Sequence, residues 1–231
     1  SHKAGTKDVP LGEPARYQQT EEDVVYLAPF VANNTYLVGI TDMGLSFDLN
    51  KHPVVELYNE YFGSGMNGIV FQEMREARGL AYSASARDVE PSDADETEYF
   101  MSYIITQNDK MTDALTHFDE IINEMPVSEA AFAIAKEGLL AQLRTQRYTG
   151  QNVLRYWQSL QDRGLDTDIR RDVFEKVQTM TLNDIVRYQQ EAIKGRTYHT
   201  CVLGDPAQLD LEGLARKGRL VQLTPEEIFG Y

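Results

Sequence analysis

The sequence predicts an α+β domain in which a mainly antiparallel sheet packs against helices. Two observations carry that expectation. Up to Thr106 extended segments predominate, with two helices between the first pair and the second, whereas from Asp109 the period becomes helical and stays so for a long stretch. Strands that come first and as hairpins, with helices grouped after them, build an antiparallel sheet under a helical cover; a doubly wound parallel sheet would alternate the two.

Residues 1–23, rich in Pro, Gly and charge, read as a linker or arm, and residues 24–231 as the domain. Two strands, Val24 to Val31 and Thr35 to Thr41, meet across Ala32, Asn33 and Asn34. A loop carrying His52 and Pro53 leads to a helix over Val54 to Phe62 that stops at Gly63. Met66 to Arg78 forms the next helix because Ile69, Val70, Met74 and Ala77 recur at helical spacing, and Gly79 can take the left-handed conformation that ends it. Strand Leu80 to Val89, an acidic connection over 90–97 and strand Glu98 to Thr106 follow, the last alternating Tyr99, Met101, Tyr103 and Ile105.

In the helical part, Met111, Ala114, Leu115, Phe118, Ile121 and Ile122 mark one helix, and Phe132, Ala135, Leu139, Leu140 and Leu143 a second. A third turns Val153, Leu154, Trp157 and Leu160 inward and stops at Gly164. Shorter helices lie near Asp168 to Gln178 and Leu182 to Ile193, the latter opened by the capping box Thr181-x-x-Asp184. Strand Thr197 to Leu203, a short helix over Leu209 to Lys217 and an extended RLVQL complete the chain.

With 231 residues and 42% hydrophobic content the chain can bury a full core. Its 36 acidic residues against 22 basic ones give a net charge of −14, which disfavours a nucleic-acid backbone or an anionic membrane as partner. No apolar run has the length of a membrane span, and the amino end lacks the apolar stretch of a signal peptide. The reading is a soluble protein of periplasm or cytoplasm, a fragment of a longer polypeptide since it lacks an initiating Met. Its single cysteine, Cys201, sits in an apolar strand and reads as a buried, inert thiol.

The functional signal lies in FGSGMNGIVFQEMREARGLAYSAS, residues 62–85. It fixes Arg75 in the last turn of a helix and Tyr82 just inside the returning strand. A guanidinium and a phenol on two rigid elements that meet at a corner can donate hydrogen bonds together to a carbonyl or an oxyanion. Arg78 abuts the helix stop, where its charge complements the helix dipole. The run GSGMNG lacks the Lys-Ser/Thr of a phosphate loop and reads as a turn whose Ser64 or Asn67 starts the helix.

No metal is expected in this chain. Of His2, His52, His117 and His199, no two are four residues apart, and His117-x-x-Glu120 is followed by Ile121. His117 reads as a solvated or half-buried helix position, and His52 as a loop or cap residue.

The runs LYNEYFGSG and VFQEMREARGLAYSASA, with MTLNDIVRYQQEAI, TYHTCVLGDP and the terminal LTPEEIFGY, resemble the C-terminal homologous domain of the M16 (pitrilysin/insulinase, mitochondrial-processing-peptidase-like) zinc metallopeptidases, over most of the chain and as in a longer bacterial member. The resemblance implies the LuxS/MPP-like metallohydrolase fold and a zinc site on an N-terminal His-x-x-Glu-His domain, in cis or in trans. It implies that Arg75 and Tyr82 bind the peptide substrate, with the substrate also gripped by sheet-edge pairing. If the two halves are a duplication, Leu57, Glu60 and Tyr61 stand where the zinc-binding helix has His, Glu and His. The alternatives are a non-catalytic scaffold subunit of the same fold and an unrelated α+β binding module.

Overall fold

The computed structural model describes residues 19–93 and 95–230, so His2 and most of the predicted arm lie outside the described residues. Among these residues the strands are β1 (Val24–Pro29), β2 (Asn34–Asp42), β3 (Ser83–Val89), β4 (Tyr99–Gln107), β5 (His199–Gly204) and β6 (Arg219–Gln222). They form one sheet in the order β3-β4-β2-β5-β1-β6. The pairings β3 with β4, β4 with β2 and β2 with β5 are antiparallel, while β1 runs parallel to both β5 and β6. The α+β class with a mainly antiparallel sheet therefore holds. The hairpin between the first two strands does not, because β5 inserts between β2 and β1. The β3–β4 hairpin forms as read.

Alternation decides which face of each strand is covered. Phe100, Ser102, Ile104 and Thr106 of β4 are buried, while Tyr99, Met101, Tyr103 and Ile105 line the more open face. The same parity corrects the reading of Cys201: Thr200 and Val202 take the inward positions of β5, leaving Cys201 exposed.

The helices are α1 (His52–Tyr58), α2 (Ile69–Phe71), α3 (Met111–Asn123), α4 (Glu129–Thr145), α5 (Gln151–Asp162), α6 (Arg170–Thr179), α7 (Leu182–Tyr188), α8 (Leu211–Lys217) and α9 (Pro225–Phe229). Three of them widen into π-helical turns: α1 over Asn59–Gly63, α2 over Gln72–Ala77 and α7 over Gln189–Ile193. The capping box at Thr181 is present, and a second one, Thr224 with Glu227 and Pro225 at the first turn, opens α9. That second signal stands in TPEE of the sequence.

In α5 only Leu160 is buried; Val153, Leu154 and Trp157 are 49%, 72% and 47% exposed, so the apolar stripe read as inward faces out. The core lies between the sheet and the other helices, with Tyr58, Phe62, Phe100, Met74 and Leu139 fully enclosed. Burying such side chains contributes roughly 1.5–3 kcal/mol each. Charged groups are buried with them. Tyr188 donates to Asp88 near the end of β3, and Lys51, at the start of α1, pairs with Glu98 just before β4. Burial, with the adjoining Glu98 carboxyl, pushes the Asp88 pKa well above the usual carboxylate range.

Candidate functional site

The corner between α2 and β3 is built by its backbone. Gly79 has φ +59°, the left-handed value read from the sequence, and its carbonyl accepts from Lys110 Nζ at 3.0 Å. The amides of Leu80 and Ala81 both donate to the Met74 carbonyl, at 2.8 and 3.1 Å. Those amides are thereby lost to the sheet, which is why β3 starts at Ser83 rather than Leu80. Thr106 Oγ1 donates to the Leu80 carbonyl at 2.6 Å and Tyr82 N–H to that of Ile105 at 2.8 Å. The helix begins at Gly68 without a side-chain cap, later than the predicted Met66.

On this frame Arg75 and Tyr82 come together. The Arg75 guanidinium carbon lies 5.4 Å from the Tyr82 ring centre and 5.1 Å from that of Phe71, a cation held against two rings. The nearest carboxylate, Glu76, is 3.7 Å from Arg75 Nε, beyond hydrogen-bond reach. Tyr82 is 73% exposed. Among the described residues neither the guanidinium nor the phenol hydroxyl has a hydrogen-bond partner. Ring stacking thus orients Arg75 while leaving its donors free. The two side chains share an exposed corner and do not line the cavity of about 810 Å³ beside α3, whose walls include Glu73, Arg78, His117, Glu120 and Lys217.

The duplicated-helix positions are occupied by packing. Leu57 and Tyr61 are buried, and Tyr61 accepts from Ser128 N–H at 3.0 Å and donates to the Pro126 carbonyl at 2.9 Å. Glu60 is part-buried, its pKa raised by burial and then by Glu56. Leucine offers zinc no donor atom, and the phenol is engaged, so this trio does not fit the catalytic zinc. Two histidines depart from the reading. His117 is buried, with Nδ1 2.9 Å from Glu120 and Nε2 facing Glu73 at 3.8 Å. His52 opens α1 and is also buried, its Nδ1 2.5 Å from Glu90.

The outer edge of β3 is largely covered. Asn59 bonds both the Asp88 carbonyl and the Asp88 amide, at 2.9 and 2.8 Å, and Gly63 lies so near Ala86 that a Cβ on it would meet the Ala86 carbonyl oxygen at 1.4 Å. Strand addition by a peptide is thus blocked along that half of the edge.

A family profile described as Peptidase M16 inactive domain matches residues 7–139. The chain belongs to the M16 peptidase family, as an inactive-type domain. No curated protein matches it. Among solved structures it is similar to a peptidase M16 inactive domain from Pseudomonas fluorescens, at 18% identity and TM-score 0.67, covering 85% of this chain and 48% of that one. A protease from Helicobacter pylori matches at 11% identity and TM-score 0.66, over 86% and 48% of the two chains. The periplasmic protease PqqL from Escherichia coli matches at 15% and 0.61, over 86% of this chain and 22% of that one. These likenesses show the fold, and the chain spans about half or less of those proteins' lengths. The family match removes the unrelated binding module from consideration. No helix among the described residues is long and apolar enough to cross a membrane.

Proposed function

We infer that this chain is the substrate-binding, C-terminal-type domain of a zinc metalloendopeptidase whose zinc site belongs to another domain or chain. The observation that carries the reading is the Arg75–Tyr82 pair: two hydrogen-bond donors fixed on different elements, the guanidinium against the phenol ring, both side chains exposed and, among the described residues, without a hydrogen-bond acceptor, Arg75 having only the long 3.7 Å ion pair to Glu76. A structural Arg and Tyr would be expected to spend those donors internally. With β3 covered at Asp88 and Ala86, any strand pairing by the peptide is confined to the start of β3, and these side chains hold it there, donating to its carbonyl and to the oxyanion that develops from it.

Activation of water would come from zinc on the other half. Closing that half over the exposed corner would exclude bulk water and strengthen both donors. A scaffold role in the same fold is the second reading, favoured by the inactive type of the matched family.

The test is made on the assembled enzyme with a fluorogenic peptide. Arg75→Ala and Tyr82→Phe are each expected to lower kcat by about a hundredfold to a thousandfold, the usual cost of an oxyanion donor, while the melting temperature holds. Activity that falls only in proportion to unfolded protein would make both residues structural and favour the scaffold.

A further inference from the structure

No metal was expected here because the sequence carries no two histidines one helical turn apart. The fold assembles a different donor set. His52 and Glu56 stand at the i and i+4 positions of α1, and Glu90, 38 residues beyond His52, follows directly on β3. One potential ligand atom from each lies within 4.8 Å of the others. The His52 and Glu90 side chains are only 10% and 8% exposed, and Glu56 is part-buried.

The charges in this cluster are unevenly matched. His52 and Glu90 satisfy each other through the 2.5 Å contact, and Arg163, stacked on Phe47 against the His52 ring, adds one positive charge near Glu90. Glu56 gains nothing from this. Among the described residues its carboxylate has neither a hydrogen bond nor an ion pair, although one of its oxygens faces the other two groups. Two carboxylates brought together in a half-closed site repel, and a half-buried unpaired one is costly.

We propose that His52, Glu56 and Glu90 form a binding site for one divalent first-row metal ion of the zinc class, which fastens the first turn of α1 to the end of β3. One imidazole and two carboxylates suit Zn²⁺, Co²⁺ or Mn²⁺ and supply too few oxygens for Ca²⁺. Ligand bonds of about 2.0–2.2 Å in a tetrahedral site set the donor atoms roughly 3.4 Å apart, so the 2.5 Å His52–Glu90 contact opens and gives up its proton while Glu56 draws in, leaving a fourth position for water. The site is separate from the peptide-binding corner. Tyr82 precedes β3 and Glu90 follows it, so at about 3.3 Å per residue the two ends are about 25 Å apart. The inference does not rest on the peptidase reading.

The metal-free chain would be titrated with Co²⁺, reading the visible d–d absorption, followed by competition with Zn²⁺. One Co²⁺ per chain, displaced by Zn²⁺ and accompanied by a rise in melting temperature, is expected. His52→Ala, Glu90→Gln and Glu56→Gln should each weaken binding at least about tenfold, and His117→Ala should leave it unchanged. Glu56→Gln keeps the His52–Glu90 contact, so the proposal remains testable even if the other two variants fail to fold. Absence of Co²⁺ binding at millimolar metal would overturn the site. So would binding that survives Glu56→Gln, or binding abolished by His117→Ala.

Discussion

The two ends of β3 treat polar groups in opposite ways. Before the strand, Arg75 and Tyr82 lie exposed, touching each other and Phe71; among the described residues their side chains donate no hydrogen bond, and Arg75 has only the 3.7 Å ion pair to Glu76. At and after its far end, Asp88 and Glu90 are buried and engaged, by Tyr188, Asn59 and His52. The fold thus closes one end of the strand with its own side chains and presents the other.

Breaking the closed end should cost most in stability. Gly63→Ala puts a methyl into the Ala86 carbonyl, which is backbone and cannot rotate away. The π-helical turn or β3 must shift, and we expect a loss of about 3 kcal/mol, near the upper range for overpacked sites. Chemical denaturation of the variant checks it, and an unchanged midpoint would mean that the turn is loosely docked. Tyr188→Phe should cost less, about 1–3 kcal/mol, because it strips a buried acid of its donor while keeping the ring in the core. By contrast Tyr82→Phe, at the open end, should leave the midpoint in place while activity falls as stated above.

The open end was legible in the sequence because its residues are neighbours. Periodicity ending at Gly79 and a strand seven residues after Arg75 suffice to place the pair together, and the backbone bears this out even though the helix starts later and widens into a π turn. The closed end was hidden for the same reason inverted: His52 meets Glu90 across 38 residues and Tyr188 meets Asp88 across 100. Neither separation leaves a local pattern. The insertion of β5 between β2 and β1 is likewise a long-range pairing, as is the parallel setting of β1. In α5 the pattern itself was sound, since Val153, Leu154 and Trp157 do share a stripe with Leu160. What periodicity cannot say is whether anything packs on that stripe.

Burial and pairing change together between the ends of β3, so a third region is needed to separate them. Asp168 supplies it, being paired but exposed: Arg170 bonds its carboxylate through Nε at 2.9 and 3.0 Å, the Arg170 N–H adds a bond at 3.0 Å, and Tyr156 donates at 3.0 Å. Its side chain is 47% exposed and that of Arg170 29%. The Arg170 hydrogen bonds, foremost among these contacts, hold the Asp168 pKa down to about 2, below the 3.8 of a free carboxyl. A carboxyl depressed in the folded state stabilises above its unfolded pKa, and the contribution disappears as pH falls from about 4 through about 2. Because solvent screens an exposed pair, that contribution should be below about 1 kcal/mol despite the ideal geometry. Melting temperatures of wild type and Asp168→Asn should therefore differ by a small amount at pH 7 and converge at pH 2. If instead Asp168→Asn costs as much as Tyr188→Phe, pairing alone fastens this fold, and burial is not what distinguishes the closed end of β3 from the open one.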